Sequence, residues 1–80
     1  MSPDKLIYMA NQIARSFRTR GHDAAVAATA DHISNFWEPR MRTQLFALLD
    51  ADVNRFDPIV QAARSSIKPV TTAAARSPAA

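Results

Sequence analysis

With 80 residues and no Cys, the chain is limited to one small domain that cannot be held by disulfides or by a Cys-based zinc site. Its formal charge of +3 raises the question of nucleic acid, but residues 1–64 carry eight Lys and Arg against all seven acids. The excess falls on Lys68 and Arg76, whereas a phosphate footprint needs several cations on one face, so nucleic acid is a weak reading.

The opening stretch, MSPDKLIYMANQ, holds an acid at Asp4 and no long apolar run, so it does not read as a secretory signal. A first helix is predicted from about Pro3 to Thr19. Ser2 is a suitable N-cap, Pro3 suits the first helical position, Asp4 favours the positive end of the dipole, and Gly21 suits the stop. Leu6, Met9, Ala10, Ile13 and Phe17 recur at three and four residues and form its apolar stripe. Tyr8, Asn11, Arg15 and Arg18 make the opposite, polar stripe.

A second helix is expected to start after Asp23 as N-cap and to continue to about Phe36, with Val26, Ala30, Ile33 and Trp37 on its apolar face. Its Ala-rich first half, AAVAATA, permits close helix packing and is far shorter than the roughly 20 residues that span a bilayer. Pro39 drives Glu38 away from the helical region, so the second helix stops and a third begins at Pro39 and runs to about Asp50. Met41, Leu45, Leu48 and Leu49 supply its core face. In the segment DPIVQAAR, Asp57 caps a short fourth helix, Pro58 opens it, and Ile59, Val60 and Ala63 form its apolar side.

From Ser65 onward Ser, Thr, Ala and Pro predominate without period, the composition of a disordered tail. The expected architecture is therefore all-α: a small antiparallel bundle of three to four short helices over residues 1–64, followed by a tail over 65–80.

Catalytic chemistry finds few footholds. One Gly excludes a Gly-rich phosphate loop, and the absence of Cys removes thiol catalysis. His22 and His32 have no acid at metal-ligand spacing and read as surface residues, and Asp50 with Asp52 reads as a solvated helix end. A stand-alone enzyme would need an acid/base or metal site that the spacing does not supply.

The stretch FWEPRMR, residues 36–42, differs in kind. Arg40 and Arg42 fall in the first turn of a helix, where the dipole disfavours cations. Glu38 and Arg42, four apart, can form a modest ion pair, and Trp37 and Met41 can fill the corner of the core, but Arg40 has no local acid. Trp, Met and Arg together are enriched at protein interfaces. The expected partner-binding set is Trp37, Pro39, Arg40, Met41 and Arg42, with Asn11 and Arg15 from the first helix. The competing patch for nucleic acid is Arg15, Arg18 and Arg20 beside Arg40.

These residues also carry a resemblance. MANQI at 9–13, DHI at 31–33 and FWEPRMR at 36–42 resemble the delta subunit of cytoplasmic NAD-dependent formate dehydrogenase, over roughly residues 3–50. The chain departs from that pattern at Ser16, where an aromatic is expected, and at Glu38, where Asp is common. The resemblance implies a non-catalytic, cytoplasmic accessory subunit with no cofactor of its own. It would bind a large alpha subunit that holds bis-molybdopterin guanine dinucleotide with molybdenum or tungsten, and iron-sulfur clusters. Through that subunit it would meet beta and gamma subunits, where electrons from formate reach FMN and reduce NAD. The implied role is to stabilise the catalytic subunit or to help it mature.

Overall fold

The computed structural model describes residues 1–70. Among them lie four α-helices, α1 (Pro3–Phe17), α2 (His22–Phe36), α3 (Pro39–Ala51) and α4 (Pro58–Ala63), with short 3-10 turns at Arg18–Arg20, Val53–Arg55 and Arg64–Ser66. The all-α expectation holds: α2 packs against both α1 and α4, and α1 also meets α3. Leu6, Ile33, Leu45 and Val60, one from each helix, are fully enclosed at the centre.

The punctuation read from the sequence works largely as chemistry requires. The Ser2 hydroxyl accepts from the Lys5 N–H at 3.2 Å, and the Asp57 carboxylate accepts from the Ile59 N–H at 2.9 Å, so each satisfies a donor with no partner inside its helix. Gly21 has φ +94°, while a Cβ there would meet nothing within 4 Å; the glycine is required by backbone conformation and not by crowding. Gly21, not Asp23, is the N-cap of α2, and His22 is its first residue. Asp23 instead sits in the first turn, where its charge favours the dipole without a capping bond.

The buried face of α1 is rotated from the expected stripe. Ile7 and Ala14 are buried with Leu6 and Ala10, while Met9, Ile13 and Phe17 are half-buried. A helix wedged between two neighbours has a wider apolar face than a single three-four stripe, and its small Ala side chains lie where the backbones approach.

The ordered chain continues past residue 64, where the sequence places the start of the tail. The chain makes a further 3-10 turn, and Ile67, only 3 % exposed, joins the core. One Ile in a run of Ser, Pro and Thr carries no periodicity, so its burial depends on tertiary contact. The rest of the predicted tail, residues 71–80, lies outside the described residues.

Asn11 fixes the short α4 to the long α1. Its side-chain amide donates to the Arg55 carbonyl at 3.0 Å, and its Oδ1 accepts from the Asp57 N–H at 2.8 Å. Asp57 is further paired with Arg18 at the end of α1, and Gln61 donates to the carbonyls of Val53 and Phe56. Asn11→Ala leaves two backbone groups without their partners and should lower stability by about 1–2 kcal/mol. Urea unfolding of the free chain checks this, with a reduced midpoint and an unchanged slope expected.

Candidate partner-binding site

Two extended residues, Trp37 and Glu38, turn the chain from α2 into α3. Trp37 has φ −89° and ψ 134°, and Glu38 has φ −61° and ψ 154°, as a residue before proline prefers. Extending the backbone at Trp37 swings its ring inward, where it is 6 % exposed. Met41, half-buried, packs against the same core.

Arg42 also turns inward and is 7 % exposed. Its Nη1 donates to the Ser34 carbonyl at 3.0 Å. That carbonyl belongs to the last turn of α2, which has no helical N–H to bond and carries the negative end of the dipole. The expected Glu38–Arg42 ion pair is not formed among the described residues; Arg42 caps the preceding helix instead. A carbonyl reached by folding back across a proline break is favoured over a carboxylate that must stay solvated. The guanidinium Nε is enclosed without a hydrogen-bond partner there. The Ser34 hydroxyl accepts from the Lys68 N–H at 2.8 Å, so the C-terminal segment is tied to the same residue.

The outward side of the corner is different. Glu38, Pro39 and Arg40 line a shallow open recess. Among the described residues Arg40 has no ion pair, whereas Arg18, Arg55 and Arg64 are paired with Asp57, Asp4 and Asp50. Arg40 follows Pro39 in the first turn of α3, where the dipole opposes it. Beside it in sequence, Phe36 is 74 % exposed, the most open of the large apolar side chains.

The seven residues expected to bind a partner thus divide. Pro39 and Arg40 stand at the surface of one corner, while Trp37 and Arg42 support that corner from beneath and Met41 spans the two. Asn11 is occupied by the α4 junction at both ends of its amide. Arg15 is exposed in the last turn of α1, where the dipole favours a cation, so local electrostatics accounts for it. The nucleic-acid patch loses Arg18 to Asp57, and the Arg20 guanidinium lies 4.8 Å from the centre of the Phe17 ring.

Phe36 lies outside the expected partner-binding set. It stands off the Val26, Ala30, Ile33, Trp37 stripe, on the side of α2 that also carries the buried Ala25 and Thr29, and is exposed as the last residue of the helix. A second opening, a groove of about 520 Å³, is lined by Thr43, Phe46, Ile67 and Val70 among others, and its Arg64 is engaged with Asp50. Among the described residues no three His, Cys, Asp or Glu side chains gather as a metal site would require, and no helix is long and apolar enough to cross a membrane.

No curated protein and no solved structure matches the chain. One family model, described as NADH-dependant formate dehydrogenase delta subunit FdsD, matches residues 5–64. That span takes in the MANQI, DHI and FWEPRMR segments and runs from the first turn of α1 to the end of α4. The match covers most of the sequence and both sides of the corner: this chain belongs to the formate dehydrogenase delta subunit family, FdsD.

Proposed function

We propose that this chain is the non-catalytic delta subunit of a cytoplasmic NAD-dependent formate dehydrogenase, docked on the alpha subunit that oxidises formate to carbon dioxide. Through the alpha subunit it contacts the beta and gamma subunits, and its role is to stabilise the catalytic subunit or to help it mature. The observation that carries this reading is the family match over residues 5–64. The unpaired Arg40, exposed on a corner braced from within, supports docking there.

The iron-sulfur clusters implied for the complex do not fit this chain. Iron-sulfur clusters are held by Cys thiolates, of which there are none, and His22 and His32 do not join an acid cluster among the described residues. On this reading the molybdenum or tungsten centre, the clusters, FMN and NAD are carried by the other subunits. Arg40 contributes a planar fork of donors that can take a partner carboxylate or carbonyl in paired hydrogen bonds.

Producing the complex with and without this chain tests the function. Omission should shorten the half-life of formate-dependent NAD reduction on heating, or lower the molybdenum or tungsten content per alpha subunit. Faster inactivation at unchanged metal content identifies stabilisation, and lost metal identifies maturation. Equal half-life and equal metal content would overturn the reading.

The corner predicts opposite behaviour for its two arginines. Arg40→Ala should leave the stability of the free chain within about 0.5 kcal/mol and weaken its association with the alpha-containing complex by about 2 kcal/mol. Arg42→Ala removes the cap on Ser34 and should destabilise the free chain itself by about 2 kcal/mol. Denaturant titration and binding measurements on both variants separate the surface role from the internal one.

A further inference from the structure

Phe36 does not stand alone on the surface. Its ring lies 4.9 Å from the His32 ring, centre to centre, at a tilt of 34°. His32 in turn meets the Phe17 ring edge-on at 6.5 Å, and the Arg20 guanidinium covers Phe17. Residues 32 and 36 are one helical turn apart and share a face of α2, so the backbone itself holds this contact. Phe17 and His32 are half-buried while Phe36 is 74 % exposed. The ledge is therefore anchored at its inner end and open at its outer one.

We infer that Phe36 is the apolar anchor of the delta subunit's interface: it enters an apolar pocket on another dehydrogenase subunit, and Arg40 meets a carboxylate on the rim of that pocket. This inference rests on the delta-subunit reading and adds the chemistry of the surface that receives it. Aromatic and Arg side chains dominate interface energetics, the former seated in desolvated pockets. The stack on His32 limits the freedom that Phe36 has left to lose on binding, which lowers the entropic cost of docking.

Charge selects the kind of partner. Glu38 lines the corner recess together with Pro39 and Arg40. A nucleic-acid strand laid across this corner would bring phosphates toward the Glu38 carboxylate. A protein surface can place an acid opposite Arg40 and leave Glu38 at the wet rim. The occupant is therefore a protein pocket with an apolar floor and one acidic edge.

The full chain and its variants are titrated against the dehydrogenase complex prepared without this subunit. Phe36→Ala should bind about 30-fold more weakly or worse, with unchanged circular dichroism, and Phe36→Leu should recover most of the loss. Phe36→p-benzoylphenylalanine, irradiated in the assembled complex, should cross-link to a dehydrogenase subunit. Parent-like binding by Phe36→Ala while Arg40→Ala is impaired overturns the inference and leaves the delta-subunit reading intact. If the parent chain itself does not bind, both fall. A cross-link only between two copies of this chain, or a Phe36-dependent affinity for a single-stranded oligonucleotide with subunit binding unchanged, also overturns it. Should Phe36→Ala prove unfolded, the cross-link decides, and its absence counts against the pocket.

Discussion

A guanidinium folded back onto a helix end holds the architecture at its sharpest point. Only Trp37 and Glu38 separate α2 from α3, and such a short connection leaves the last carbonyls of α2 without helical donors. Arg42, one turn into α3, supplies a donor to Ser34 and brings positive charge to the negative end of α2. The same side chain, pointed outward, would leave the Ser34 carbonyl open. Pro39 makes the arrangement possible by ending α2 and starting α3 at once. The Ser34 hydroxyl then receives the backbone of Lys68, so three parts of the chain converge on one residue.

This internal use of Arg42 clarifies what the surface has to spare. Three of the chain's arginines are matched with acids, and a fourth lies over an aromatic ring. The matched pairs are largely exposed and contribute little stability individually. They do neutralise charge, however, and Arg40, without an ion pair among the described residues and four positions from the exposed Phe36 in sequence, is not neutralised in this way.

Much of the fold was legible in the sequence because capping and proline effects are local. Ser2, Gly21, Pro39, Asp57 and Pro58 mark element ends through their own backbone and side-chain chemistry, and the structure uses each of them at or beside such an end. What escaped reading was non-local. The turn of Arg42 away from Glu38 depends on where the end of α2 lies in space, and the burial of Ile67 depends on the core that residues distant in sequence assemble. Asn11 looked available because it shares a polar stripe with Arg15, yet its partners are more than 40 residues away in sequence. Residue types alone single out the corner, but that Trp37 and Arg42 are buried there while Pro39 and Arg40 are exposed follows only from three dimensions.

The tie between Lys68 and Ser34 has a consequence for how the folding unit is delimited. Residues 5–64 are recognisable as family, but the tertiary structure extends beyond them at both ends. Ser2 caps α1, Asp4 pairs with Arg55, and the Met1 carbonyl accepts from Gln44 on the N-terminal side. On the C-terminal side Ile67 fills the core and Lys68 closes onto α2. A chain trimmed to the family segment would keep every helix core and lose the fastenings that hold first and last elements in place. The contacts that fasten the helices together thus reach from Met1 to Lys68, past the family segment at both ends.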